Sequence, residues 1–529
     1  MARSSLVLAI AFLAGASTMA VELAAVRVQS PWFGASTAVW TNVIGVVLLA
    51  LSIGYLIGAR ASRSAQPQRA LGVTLSLSAI ACALVPVASG PIARIFLPPH
   101  LTLEQAGTLT GWGSLAASVC LFLPAATALG CTAPLATEIL ARGGRASAGS
   151  AGGRVLCAST LGSLLGTFAT TYSLVPNLGT TRTFLAAGIV LGALALLAFF
   201  ALGRGSARNA VALVALILPC ALWSVAARLP DLTEGDVLLA SRESTYQSVR
   251  IVERTEDGSR LRHLQVNESF DSFQSVWSER PGFLPDGHYY NLFAFPLWWS
   301  RDITTWRVGV VGLGGGTAWR VLDGAKPTGV ELSLVGAEID PAVVALAREW
   351  MDLSDQGGRC RVLSGIDGRA LVAKTHAGFE LLILDAYANQ TEIPPHLSSV
   401  EFFEACRASL VERGWLVANV GGFGFDDPVV TSVGETLATA FGTRVLAVLV
   451  PYSRNVALFA RRGSEPIDPL VVPPKSGVAE VDRQLAAATL PGLSHWFAPT
   501  SGVVLTDDLN PIQTRQHESI ERAARRGLE

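Results

Sequence analysis

The sequence predicts two structural classes in one chain: an N-terminal all-α polytopic membrane region, then an α/β region built on a doubly wound sheet. Three observations predict this division. Charge is segregated: the first 229 residues hold three acids, 13 arginines and no lysine, leaving 38 of the 41 acids and 27 of the 40 bases to the remainder. The two parts carry formal charges of +10 and −11 in a chain of 529 residues that sums to −1. Apolar stretches close to the ~20 residues that cross a bilayer recur seven times in the first part. Beyond residue 243, short apolar runs alternate with helical patterns and end in glycine or an acid.

The apolar stretches run over about 6–28, 38–58, 70–96, 110–129, 155–175, 184–202 and 210–227. Short arginine-bearing segments such as ARASRSAQPQRA and ARGGRASAGSAGGR separate them, a rhythm that a buried soluble core does not repeat. The opening MARSSLVLAIAFLAGASTMA has the basic start, apolar middle and small residues of a signal peptide. Its apolar pattern continues past Glu22 to Val28, so a retained helix is expected. Glu22 and Arg27, five residues apart at membrane depth, read equally as a functional pair or as an ion pair with a snorkelling arginine. Small residues in ASTLGSLLGTFATT, Ala158 to Thr171, predict close helix packing. Loop arginines concentrate after the second, fourth and sixth stretches, which puts the amino terminus in the cytoplasm. Seven full crossings would then export the second part. Its chemistry calls for the cytoplasm, so one stretch is expected to be re-entrant or the count off by one.

The second part opens with STYQSVRIVERTEDGSRLRHLQVN, which alternates about Asp257-Gly258 and predicts a hairpin. Five strands follow: VGVVGLG, LSLVGAEID, CRVLSGIDG, ELLILDAY and WLVANVGG. PAVVALAREWM and VEFFEACRASLVERG read as helices between them, giving a mostly parallel sheet that binds ligands beyond its carboxyl ends. The glycines there, Gly312, Gly314 and Gly316, form GxGxG. The dinucleotide fingerprint would need glycine at Thr317, and no Gly-Lys-Ser/Thr follows for a phosphate loop. Such a loop suits the approach of a nucleoside whose 5′ substituent is uncharged or cationic. Glu338, Asp367 and Asp385 end three successive strands and would favour a cationic sulfonium over a phosphate. Glu338 suits ribose hydroxyls, Asp367 with Gly368 an adenine amino group, and Asp385 whatever attacks the 5′ substituent. Taken singly, each carboxylate also reads as a helix cap or turn residue.

Other chemistries are not indicated. The seven cysteines are scattered with no CxxC, and neither HExxH nor paired histidines occur, so no metal is expected. No clustered basic face suggests nucleic acid.

These residues resemble a known family. STYQSVRIVE, VGVVGLGGGTAWRVL, GAEIDPAVVALAREWM, SGIDGRALV, FELLILDAY and HLSSVEFFEACRASLVERGWLVANV, in order over about 241–459, are similar to the spermidine synthase (polyamine aminopropyltransferase) family. SIGYLIGARASR, GCTAPLATEIL and LTDDLNPIQ resemble the bacterial subgroup in which that domain is fused to a multi-helix membrane region. The resemblance implies a class I methyltransferase-like fold and decarboxylated S-adenosylmethionine as cosubstrate, with S-adenosylmethionine the alternative and no permanently bound cofactor. It implies a small amine acceptor such as putrescine, release of methylthioadenosine, a lipid bilayer as partner and a homo-oligomer. The location implied is the inner membrane, multi-pass, with the catalytic domain cytoplasmic. By position, Gln247 would contact the adenosine or thioether, Glu338 the ribose, Asp367 and Gly368 the adenine, and Asp385 would be the catalytic aspartate. Tyr289, Tyr290 and Tyr387 would supply aromatic walls for a cation. The expected organisation is a membrane region at 1–229, a β-hairpin region at 238–300, a nucleoside-binding Rossmann-like region at 301–465 and a tail at 466–529.

The sequence departs from soluble members at the amine side. Their loop aspartate is Gly315 here, the second carboxylate of their DxxD is Ala388, their Tyr-His-Glu segment is reduced to GHYYNLF, and their glutamine after the hairpin is replaced near Asp271. Asp507 and Asp508 are candidates to fold back and replace the missing carboxylates. Two alternatives stay open: methylation of a membrane-presented acceptor, or a polyamine transporter or sensor whose nucleoside domain is silent.

Overall fold

In the computed structural model the residues described are 2–33, 37–96, 103–143, 147–202, 209–223, 232, 235–256, 258–267, 274–387, 392–451, 453–463, 476, 478–487, 490, 492–502 and 504–526. They form two compact units. One spans Met1–Asp231 with the short segments Glu243–Gln247 and Asn267–Ser269; the other takes the remaining chain.

The first unit is helical: α1 (Ala2–Phe33), α2 (Thr37–Ala61), α3 (Pro67–Phe96), α4 (Leu103–Gly130), α5 (Thr132–Arg142), α6 (Ala148–Ala169), α7 (Val175–Leu197) and α8 (Asn209–Trp223). Five segments among the described residues are long and apolar enough to cross a membrane: Ser4–Ser30, Ala38–Ala61, Pro67–Phe96, Trp112–Arg142 and Ala148–Ala201. A single helix over the last would be about 80 Å long, against the ~30 Å of a hydrocarbon core. Gly179, at φ 77° and ψ 169°, breaks it, so the stretches expected at 155–175 and 184–202 are separate helices. The seventh expected stretch is a helix of 15 described residues, shorter than a full crossing.

Glycine lets two of these backbones touch. A Cβ built on Gly162 of α6 would lie 1.8 Å from the Phe12 carbonyl oxygen of α1, and one on Gly166 would lie 2.4 Å from that of Ala16. Ser163 Oγ donates across the same seam to the Gly15 carbonyl at 3.2 Å. Apolar side chains gain nothing by leaving lipid, so close approach and cross-helix hydrogen bonds carry such packing. The outer surface is correspondingly apolar, with Leu56, Leu156, Phe168 and Phe200 each more than half exposed. Arg27 donates to the Thr245 carbonyl within this unit.

The second unit has two sheets. β1 (Val237–Glu243), β2 (Ser248–Glu256), β3 (Ser259–Val266) and β4 (Ser275–Ser278) form one, in that order. The expected hairpin is β2–β3, closed by the pair Glu256↔Ser259 with Gly258 at φ 75°. After α9 (Phe295–Trp299) comes the larger sheet's first run: β5 (Thr305–Val311), α10 (Thr317–Ala325), β6 (Glu331–Glu338), α11 (Pro341–Trp350), β7 (Cys360–Ser364), α12 (Gly368–Ala373) and β8 (Phe379–Leu384). Its second run is α13 (Val400–Ser409), β9 (Leu410–Gly421), α14 (Pro428–Phe441), β10 (Val445–Leu449), β11 (Asn455–Arg461), α15 (Ala479–Ala487), β12 (Ser494–Phe497) and α16 (Ile512–Arg526). Strand order is β12-β10-β11-β9-β8-β5-β6-β7, with the chain reversing direction in the sheet at β5. The five strands from β5 to β9 pair parallel, whereas β11, β10 and β12 add antiparallel at one edge.

Four helix starts in this unit carry side-chain caps. Asp340, Asp367, Ser399 and Asp427 each accept a backbone N–H in the first turn of α11, α12, α13 and α14. One sequence expectation is corrected. VEFFEACRASLVERG is not one helix, because it ends at Ser409 and Leu410 begins β9, with Arg413 at φ 66° marking the irregular entry. Apolar periodicity cannot separate a helix end from the strand that follows without a break.

The α1–α6 seam makes a direct prediction. Gly162→Val should force the helices apart and lower the melting temperature of the detergent-solubilised protein by several degrees. Leu161→Val, at a position 54% exposed, should leave it unchanged.

Candidate active site

Four features meet at the carboxyl ends of β5, β6, β7 and β8. The glycine loop is a left-handed staircase, with Gly312, Gly314 and Gly316 at φ 82°, 55° and 84°. Only glycine adopts these angles without strain. The turn also lies against β8: a Cβ on Gly312 would be 2.4 Å from the Asp385 carbonyl oxygen. Gly368 is pressed on β5 in the same way, its Cβ position 2.2 Å from Val311 Cγ1.

Glu338 ends β6 and is 8% exposed. Its carboxylate accepts N–H from Gly314 at 2.9 Å and from Asp340 at 3.0 Å. It therefore braces the loop, with lone pairs to spare for hydroxyl donors. Burial pushes its acidity down, and those backbone donors oppose the shift. Asp367 caps α12 through Oδ1, which accepts from Arg369 N–H at 2.8 Å, while Oδ2 lies 3.0 Å from His396 Nε2. The cap uses one oxygen and the histidine contact the other.

Asp385 follows β8. Its Oδ1 accepts from Asn419 Nδ2 at 2.9 Å and its Oδ2 from the Tyr289 hydroxyl at 3.2 Å. Burial pushes its carboxyl up to about 7, with the two hydrogen bonds opposing. Asn419 is itself held, accepting from Asn455 Nδ2 at 2.8 Å. Tyr289 stacks on Tyr290 at 4.2 Å between ring centres. The Tyr290 hydroxyl is committed to the Gln274 carbonyl at 2.6 Å. The Tyr387 hydroxyl donates to Asn419 O and accepts from Gly421 N–H, both at 2.9 Å. Of the three expected aromatic walls, Tyr289 alone hydrogen-bonds to Asp385. Burial lowers the neighbouring His288 imidazole to about 4, so it is neutral at pH 7.

The structure brings together Gly312, Gly314, Gly316, Glu338, Asp367, Gly368, Asp385 and Tyr289. Gln247, expected at the adenosine or thioether, lies in the tight Glu243–Gln247 connection, where its N–H donates to Ser244 Oγ at 3.0 Å. Asp507 is engaged within the protein. Arg369 grips both its oxygens and Ser399 Oγ donates at 2.5 Å, so its charge is compensated and it cannot stand in for a free carboxylate. Arg369 holds it at about 2, far below Asp385. Asp508 is exposed beside it. The positions Ala388 and Asp271 lie outside the described residues. A Cβ on Gly315 would lie 2.6 Å from Sδ of the flexible Met351 side chain.

Several contributors escaped the sequence reading. Asn419 was the one polar residue within WLVANV, a signal available in advance. Ser275 Oγ, accepting from Gly315 N–H at 2.7 Å, comes from β4 and had no local signal. Ile339 and Ile366, each 39% exposed, adjoin Glu338 and Asp367 in the chain.

No family model matches the chain. Curated relatives bear out the resemblance to the spermidine synthase family at modest identity over part of the chain. A probable polyamine aminopropyl transferase of Bifidobacterium longum is 30% identical over 183 residues, 34% of this chain and 37% of that protein. A polyamine aminopropyltransferase of Chromobacterium violaceum is 29% identical over 154 residues, 29% of this chain and 56% of that protein. One of Mycobacterium tuberculosis is 27% identical over 316 residues, 55% of this chain and 56% of that protein. The chain thus spans between about a third and just over half of the length of these relatives. Among solved structures, a spermidine synthase from Thermotoga maritima is 22% identical with a TM-score of 0.36, covering 48% of this chain and 84% of that one.

The Asp385 environment predicts a pH-dependent stability defect. Its ordinary value is 3.8 and its folded value about 7, so the folded protein binds more protons and stability falls as pH rises through that window. Asp385→Asn should therefore be more stable than wild type at pH 8, by on the order of 2 kcal/mol, and no more stable near pH 4. Chemical unfolding at the two pH values measures this.

Proposed function

We propose that the second unit is an aminopropyltransferase, taking the aminopropyl group of decarboxylated S-adenosylmethionine to a small amine and releasing methylthioadenosine. The observation that carries the proposal is Asp385: a buried carboxylate with neutral partners, at the mouth of a glycine loop braced by Glu338. The relatives named for this activity support it, as does the missing phosphate grip.

In the proposed reaction the nucleoside lies over the glycine loop. Glu338 accepts from its ribose hydroxyls, Asp367 from its base, and Ile339 and Ile366 flank the ring. The sulfonium then faces Asp385, whose burial among neutral groups favours a cation nearby. The acceptor attacks as its free base. A bond forms between its nitrogen and the methylene carbon beside sulfur, the carbon–sulfur bond breaks, and its electron pair neutralises the sulfonium. The nitrogen proton passes to Asp385, which is poised near neutrality for that transfer. Asn419 and Tyr289 hold the carboxylate in place, and Tyr289 offers its ring face to the ammonium form of the acceptor. The helical unit, with its apolar outer surface, is proposed to anchor the enzyme in the inner membrane, with this chemistry in the cytoplasm.

Incubating the purified full chain with decarboxylated and intact S-adenosylmethionine and a panel of amines, read by mass spectrometry, tests the proposal. Expected are aminopropylated amine and methylthioadenosine from the decarboxylated donor alone. A methylated product from the intact donor would replace the proposal with methyl transfer. The rate at limiting amine should rise with pH through about 7, and Asp385→Asn should lower kcat by on the order of a hundredfold or more.

A further inference from the structure

The carboxyl-terminal segment around Asp507 is bonded to two chain segments that flank the proposed base site. One is the first turn of α12, through Arg369. The other is residues 395–401, which follow Asp385 in the chain and carry His396. Arg369 Nη1 donates to Asp507 Oδ1 at 2.8 Å and to the His396 carbonyl at 2.9 Å, and its second terminal nitrogen bonds Asp507 Oδ2. From the other side Ser399 Oγ reaches Asp507, and Asp507 N–H donates to Glu401 Oε2 at 2.9 Å. Asn510 Nδ2 donates to the Pro395 carbonyl at 2.7 Å and to Ser398 Oγ at 3.2 Å. Buried Leu505 and Ile512 anchor the segment on either side, and the Leu505 carbonyl accepts from Val400 N–H at 2.7 Å.

One of these bonds holds the His396 carbonyl and the others hold its chain neighbours at 395 and 398–401, and His396 Nε2 lies 3.0 Å from Asp367 Oδ2. That oxygen is the one left over when the other caps α12. We propose that Asp507 is a positioning residue for the nucleobase end of the site, holding His396 and Asp367 in register through Arg369. The inference rests on the proposed nucleoside site and adds a role for the tail that the carboxylate-replacement idea did not contain. The ion pair is partly exposed, with side chains 32% and 41% accessible, so it contributes little to global stability. Its two-pronged geometry fixes orientation instead.

The distinction is testable in the full chain with methylthioadenosine as probe. Asp507→Asn removes the charge and half the fork while conserving shape. It is expected to weaken methylthioadenosine binding by about tenfold, the size of one well-placed polar contact. The melting temperature, the KM for amine and kcat at saturating nucleoside should be unchanged. His396→Ala should weaken binding similarly, and the double variant should be no worse than either single one, because both act on the same contact. Asp507→Glu should recover part of the loss. Wild-type affinity in Asp507→Asn, or losses that add in the double variant, would overturn the inference alone. Failure of the wild type to bind methylthioadenosine would overturn the nucleoside site as well.

Discussion

One close approach of two backbones organises the carboxyl edge of the large sheet. Gly312 lies so near the main chain of Asp385 and Ala386 that a Cβ would fall 2.4 Å from the Asp385 carbonyl oxygen. At the same point Gly312 N–H donates to Ala337 O at 3.1 Å and Asp385 N–H donates to Val311 O at 2.9 Å. Three strands are thereby tied together by main-chain atoms, and the separation of the glycine turn from Asp385 does not depend on any side-chain rotamer. A substituent at Gly312 would have to push β8 away or abandon its left-handed backbone.

Around that knot the sequence's carboxylates are held in three different electrostatic states. Glu338 is stabilised by two backbone donors, which makes it a brace for the glycine loop. Asp507 is compensated by a guanidinium and is held far down the acid scale. Asp385 has neutral hydrogen-bond partners among the described residues, an amide and a phenol, so burial dominates. A group in that state gains when a cation arrives and can take a proton near neutral pH. The fold thus separates carboxylates compensated by donors or a guanidinium from one left to burial.

Much of this was legible in the sequence, for physical reasons that also explain what was not. Five parallel strands announced themselves because each is apolar and ends in glycine or an acid, as buried strands facing a crevice must. The antiparallel edge, β10 to β12, carries no comparable punctuation, and SLVERG hid a helix-to-strand junction within one continuous apolar pattern. The loop glycines and strand-end acids lie where their spacing suggested, since backbone conformation and capping are local properties. Ser275, Asn455 and the Arg369–Asp507 pairing depend on residues 36 to 138 positions apart meeting in space, which no local pattern encodes. In the helical unit, the small residues of ASTLGSLLGTFATT marked a real backbone seam, and the break at Gly179 falls between the two apolar stretches at 155–175 and 184–202.

The proposed reaction requires a nucleoside in the crevice between the glycine loop and Asp385. An experimental structure of the full chain with methylthioadenosine bound addresses this most directly. Expected are ribose density against Glu338, the base between Ile339 and Ile366 near Asp367, and the thioether directed at Asp385. Density for the ligand elsewhere on the protein, or a base and thioether exchanged end for end, would contradict the proposed reaction.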